Sequence, residues 1–169
     1  MQRLAPASAL LAMMGVAAGA SADPLSAAQS ATVLGPNNQL LTDGSVALEA
    51  GRFEEGVRLT LAGLDQPNNP HDEASGHSNV CAGYAAMKRW NDALEHCNRA
   101  LALDPGNWRT YNNRAAVFTG LKQFELAIAD VNKGLKLAPD SWTLHKSLEV
   151  VNQHREAAAR DRWRRPNKA

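Results

Sequence analysis

The strongest constraint in this sequence is a period. Setting Ala74 beneath Trp108 aligns Tyr84 with Phe118, Trp90 with Phe124, Ala93 with Ala127, Leu101 with Leu135, Leu103 with Leu137 and Pro105 with Pro139, an ungapped offset of 34 residues. The strings at 100–105 (ALALDP) and 134–139 (GLKLAP) repeat the same alternation of leucines closed by proline. A unit of this length cannot bury its apolar face alone, so successive units must stack.

Each unit reads as two helices. Val80, Cys81, Tyr84 and Met87 recur at helical spacing, Lys88-Arg89-Trp90-Asn91 breaks the run, and Ala93, Leu94, Cys97, Ala100 and Leu101 resume it. Asp104-Pro105-Gly106 then ends the second helix, because proline lacks the amide proton and restricts its predecessor. The next unit repeats this with Tyr111, Ala115 and Phe118, then Ala127, Ile128, Val131 and Leu135, then Pro139-Asp140. Small residues at Cys81, Ala93 and Ala100, and again at Ala115, Ala127 and Gly134, allow two antiparallel helices to approach closely. Tyr84, Trp90, Phe118 and Phe124 supply the bulk between neighbouring pairs.

Small, aromatic and proline positions in this order resemble the tetratricopeptide repeat family, with copies at 74–107 and 108–141. A degenerate copy at 37–73 precedes them. There Gly51-Arg52-Phe53-Glu54-Glu55-Gly56 resembles the family's inter-helix turn, followed by Val57, Leu59, Leu61 and Leu64, with Gly44 at a small position. It departs from the pattern at Ala47, where an aromatic is expected, and in the stretch from Asp65 to Glu73, which adds about three residues. Trp142, Leu144, Leu148 and Val151 then mark a closing helix with a basic tail over 142–165, capped by Asp140 or Ser141. The resemblance implies an all-α fold: a right-handed superhelical array of antiparallel helix pairs, an α-solenoid with a C-terminal capping helix.

It also implies a protein-binding role, with the first helix of each pair lining a concave groove. The matching positions are Ser75, Ser78, Asn79 and Ala82 in one copy and Arg109, Asn112, Asn113 and Ala116 in the next. Asn79 and Asn113 fall where a side-chain amide can both donate to and accept from a peptide backbone. Arg109 can meet a carboxylate. Clamps for acidic tails need several groove cations; here only Arg109 is placed in the groove, with Lys88 and Lys122 at its rims.

Residues 1–22 are expected to be a signal peptide. Arg3 gives a positive start, residues 4–20 carry no charge, and Ala20-Ser21-Ala22 offers a small-x-small cleavage site. Residues 23–36 show no period and read as a flexible lead. The expected location is periplasmic or secreted, with no membrane insertion after cleavage. Basic and acidic side chains number 18 and 17, a net charge of +1, which argues against a general polyanion-binding surface and so against nucleic acid as partner.

Cys81 and Cys97 lie on paired helices, each about eight residues from the turn, and so at one height. An even cysteine count with an export signal favours a disulfide between them. Two buried thiols filling compact positions are the plainer reading. A metal site is a third, since His77 precedes Cys81 by one helical turn and His96 adjoins Cys97; however, His96 points about 100° away from Cys97, and no CxxC pair is present. No metal or other cofactor is therefore assigned. The sequence contains no HExxH, phosphate loop or nucleophile–base motif, so no catalytic residue is assigned. The expected function is an adaptor that holds a protein or peptide segment. The alternatives are a structural assembly subunit or a Cys/His metal carrier.

Overall fold

The computed structural model describes residues 38–164; the expected signal peptide (1–22) and the whole of the expected lead (23–36) lie outside the described residues. Seven helices follow one another: α1 (Gln39–Glu49), α2 (Phe53–Leu64), α3 (Pro70–Ala86), α4 (Trp90–Leu103), α5 (Trp108–Gly120), α6 (Phe124–Leu137) and α7 (Trp142–Arg164). No strand occurs among the described residues. The helices pair as α1/α2, α3/α4 and α5/α6, each pair packs on the next, and α7 closes the array. This is an all-α helical repeat solenoid.

Capping chemistry sets the helix starts. Asn38 accepts from the Leu40 and Leu41 amides, Asn69 from Asp72, and Asn107 from Arg109, while Pro70 supplies a preset φ at the first position of α3. Of the two candidate caps for α7, Ser141 acts: its Oγ accepts from the Leu144 amide at 3.4 Å. Within each pair the turn is a left-handed residue at Gly51, Lys88 or Lys122. The following amide reaches back five residues, Arg52 to Ala47, Arg89 to Tyr84 and Gln123 to Phe118, which satisfies an otherwise orphaned carbonyl. Three equivalent turns therefore fix three equivalent hairpins.

The small positions sit where the helices touch. Cys81, Ala93 and Cys97 are fully buried together with Val117, and Ala115, Ala127 and Val131 form a second cluster with Leu144 and Val151. A Cβ added to Gly134 would stand 2.8 Å from a Leu144 methyl, and one on Gly44 would stand 2.9 Å from the Thr60 backbone nitrogen. These glycines are required by close approach. Burying clusters of this kind is the main stabilising term, about 25 cal/mol per Å² of apolar surface.

The degenerate first copy is complete in the structure. Its α1 forms, and Ala47, which replaces the expected aromatic, is fully buried. Much of the expected insertion is helical, because α3 begins at Pro70 and gains an extra turn ahead of Ala74. Asn38 ties the start of the first copy to the end of α2 and to the loop after it, donating to the Gly63 carbonyl and to Asn68 Oδ1, each at 2.9 Å.

Candidate functional site

Two arrangements of polar side chains stand out, one along the inner helices and one within the α3/α4 pair. The inner helices α1, α3, α5 and α7 each touch the next in that order. Of the six groove residues expected from the sequence, five are buried: Ser75, Ser78 and Asn79 on α3, and Asn112 and Asn113 on α5. Arg109 alone is partly open, its guanidinium 4.5 Å from the centre of the Trp108 ring.

At these five positions the side chains expected to line a groove are closed off from solvent. Thr110 Oγ1 donates to Ser78 Oγ at 2.9 Å, and Asn113 Nδ2 donates to the Ser78 carbonyl at 3.3 Å. Ser147 Oγ donates to Asn112 Oδ1 at 2.7 Å. These bonds stitch α3 to α5 and α5 to α7. Polar side chains on one helix face read as solvent-facing in a sequence, whereas here they meet partners on the next inner helix. Thr110 and Ser147 take part and were not singled out from the sequence; the offset that aligns the inner helices was the signal available.

The seam is incompletely satisfied. Asn79 Oδ1, Asn113 Oδ1 and Asn112 Nδ2 are buried with no hydrogen-bond partner. Each such atom costs on the order of 1–3 kcal/mol. Two unspent acceptors and one unspent donor thus lie on adjoining inner helices.

Within the α3/α4 pair, Cys81 and Cys97 face each other with Cα atoms 5.2 Å apart and sulfurs at bonding distance. Beside them His77 Nδ1 and His96 Nδ1 approach to 3.0 Å, the rings tilted by 46°. His96 also lies against Tyr84, with ring centres 5.7 Å apart, and Arg89 covers Tyr84 at 4.4 Å. Burial, then the Arg99 charge, lowers the His77 pKa against the opposing pull of Glu73 and Glu95. Burial, His77 and Arg99 push His96 down to about 4, with Glu95 and Asp92 opposing. Both imidazoles are therefore neutral at neutral pH. Among the described residues no group of three or more His, Cys, Asp or Glu side chains is arranged to hold a metal ion.

A separate cleft of about 410 Å³ lies where the hairpin turns meet the C-terminal half of α7. Lys88, Trp90, Lys122, Phe124, Ala158 and Asp161 line it. It exists because α7 runs for 23 residues and α5 for 13, so the closing helix overhangs the turns. No described helix is long and apolar enough to cross a membrane.

Comparison with known proteins follows the same repeat. A family model described as tetratricopeptide repeat matches residues 74–107. Mouse sperm-associated antigen 1 is 32% identical over 74 residues, which cover 44% of this chain and 8% of that protein. The chain thus spans under a tenth of the curated relatives it matches. The first TPR domain of human RPAP3 superposes with a TM-score of 0.63 at 24% identity, covering 72% of this chain and 93% of that one. The first TPR of Spaghetti (RPAP3), bound to an HSP90 peptide, gives 0.61 at 26% identity over 72% of this chain and 91% of that one.

Proposed function

Since the chain belongs to the tetratricopeptide repeat family, we propose that it is a non-catalytic adaptor holding an extended segment of a partner protein along its inner helices. The observation that carries this reading is the set of unspent amide atoms on Asn79, Asn112 and Asn113. A peptide backbone offers both complements, N–H groups for the two carbonyl oxygens and a carbonyl for the amide nitrogen. A slight spreading of α3 from α5 would bring these groups into reach and return part of the cost of leaving them unpaired. Support by likeness comes from the RPAP3 repeat that binds an HSP90 peptide. The ligand proposed here is not a strongly acidic tail, because Arg109 is the single cation among the six sequence-matched groove residues.

The same reading places the chain in an oxidising compartment. It joins the charge-free segment 4–20 and the Ala20-Ser21-Ala22 site to the facing pair Cys81 and Cys97, proposed to be a disulfide. N-terminal sequencing of exported protein should begin at Asp23, and thiol titration of denatured, unreduced protein should find no free thiol.

The test of binding is a fluorescence-anisotropy survey of peptide libraries of neutral and acidic composition, with wild type compared against Asn79→Ala and Arg109→Ala. Asn79 is preferred to Asn113, whose amide also holds Ser78. Loss of neutral-peptide binding by at least tenfold in Asn79→Ala supports the groove. Unchanged binding in both variants, or selection of acidic tails alone, would overturn it.

A further inference from the structure

We propose that His77 and His96 form a two-histidine chelating site for a divalent transition-metal ion, separate from both the disulfide and the inner groove. The two nitrogens that face each other are both Nδ1, 3.0 Å apart and on different helices of one rigid pair. With metal–nitrogen bonds of roughly 2.0–2.1 Å, two ligands at a right angle stand about 2.9 Å apart, and two at a tetrahedral angle about 3.4 Å. The observed separation, spanned by one N–H···N hydrogen bond in the metal-free pair, is close to the right-angle value taken by Cu(II) and Ni(II), so a bound ion would replace that shared proton, which moves to Nε2 of the same ring.

The surroundings fit a ligand pair. Glu73 Oε1 lies 4.0 Å from His77 Nε2, on the ring edge opposite the facing nitrogens. At that distance the carboxylate makes no hydrogen bond to the ring, but it adds negative charge beside His77 that opposes the Arg99 charge. Glu95 and Asp92 add negative charge beside His96, while Arg99 opposes it. The α3/α4 hairpin fixes both backbones, so little ordering cost attends binding. Two protein donors leave the remaining coordination positions to water or to a side chain of a bound partner. Neither sulfur is a ligand in this arrangement.

The test titrates Cu(II) into the oxidised full mature chain by calorimetry, followed by electron paramagnetic resonance of the one-to-one complex. One equivalent should bind, with hyperfine structure from two imidazole nitrogens. His77→Gln and His96→Gln should each lose at least tenfold in affinity, while His71→Ala, an exposed histidine outside the pair, keeps it. Glu73→Gln should lose about two- to threefold, and the loss should shrink at high salt, because a part-exposed carboxylate 4.0 Å from the ring acts only as a screened charge. Circular dichroism of each variant separates lost ligands from lost fold. Equal binding by the doubly substituted His77→Gln/His96→Gln chain, or binding seen only after reduction of the cysteines, would overturn the proposal.

Discussion

The α3/α4 and α5/α6 pairs carry out the same packing with different chemistry at equivalent rungs. Shifted by the period of 34, Cys81 and Cys97 correspond to Ala115 and Val131. In the first copy, where the loop is longer, the same rung is Gly44 against Thr60, whose hydroxyl donates to the Gly56 carbonyl at 2.8 Å. A sulfur pair, two apolar side chains and a glycine–hydroxyl pair therefore occupy one place in three hairpins. The rung requires a fitted volume, and the chemistry that fills it is free. The neighbouring position differs as sharply. His96 of α4 meets His77, whereas its counterpart Asp130 of α6 holds Arg114 through two bonds of 2.7 and 2.8 Å.

The largest effect should come from making the two rungs alike. Cys81→Ala/Cys97→Val copies the apolar rung of α5/α6 and removes only the proposed cross-link, which spans 16 residues. A loop of that size contributes about 3 kcal/mol by the chain-entropy model. Thermal unfolding of this variant should fall by about 10 °C, and reductant should lower the wild type equally while leaving the variant unmoved. A variant as stable as wild type would show that packing alone holds both pairs.

Breaking the ion pair attacks the other copy. Asp130 is buried and Arg114 largely so, and the Asp130 hydrogen bond raises the Arg114 pKa despite the opposing effect of burial. Asp130→Asn keeps one amide oxygen as an acceptor but removes the countercharge and one of the two bonds, leaving the guanidinium with neutral acceptors only, the other being Asn98 at 2.8 Å. The expected loss is about 2 kcal/mol in urea unfolding, less than for a fully buried pair. Because the pair is shielded, raising salt should recover little of the difference.

Acid distinguishes the pairs by a different route. A histidine whose folded pKa lies below its unfolded value destabilises the fold once the unfolded chain can take up a proton. For His96, lowered to about 4, stability should be full above about pH 6.5 and decline as pH falls toward 4. His77 shifts in the same direction. With chelator present and allowing for solvent screening, the loss over this window should be about 1–2 kcal/mol. Replacing both with Gln should flatten the slope there, and an unchanged slope would assign the acid sensitivity to carboxylates.

How far the sequence reached depended on the kind of contact. The period, the small positions and the proline stops are local or fixed in offset, so three hairpins and the closing helix could be read directly. The polar seam could not. Ser78, Thr110 and Asn113 resemble a wet helix face until α5 is set against α3, because their partners lie 32 and 35 residues away. The His77–His96 approach was hidden for a related reason: helical angles separate His96 from Cys97, yet side-chain reach across the hairpin brings the rings together. The α7 overhang follows from helix length, and the period says nothing about length once the repeats end.

The smallest predicted effect concerns the turns that all three hairpins share. Gly51, Lys88 and Lys122 have φ of 75°, 59° and 61°, so two lysines occupy a conformation that glycine adopts without steric cost. A side chain there costs about 1–2 kcal/mol, and the greater freedom of glycine in the unfolded chain returns roughly 0.5–1 kcal/mol of that. Lys88→Gly and Lys122→Gly should therefore each gain about 0.5 kcal/mol, read as a raised urea midpoint at constant slope, and the reciprocal Gly51→Lys should lose a similar amount. Both lysines also line the cleft beneath α7 together with Trp90 and Phe124, and an aliphatic lysine stem can cover such apolar surface. A loss of stability in Lys122→Gly together with a gain in Lys88→Gly would locate that packing at the α5/α6 turn. It would also separate a hairpin that merely turns from one that also carries the closing helix.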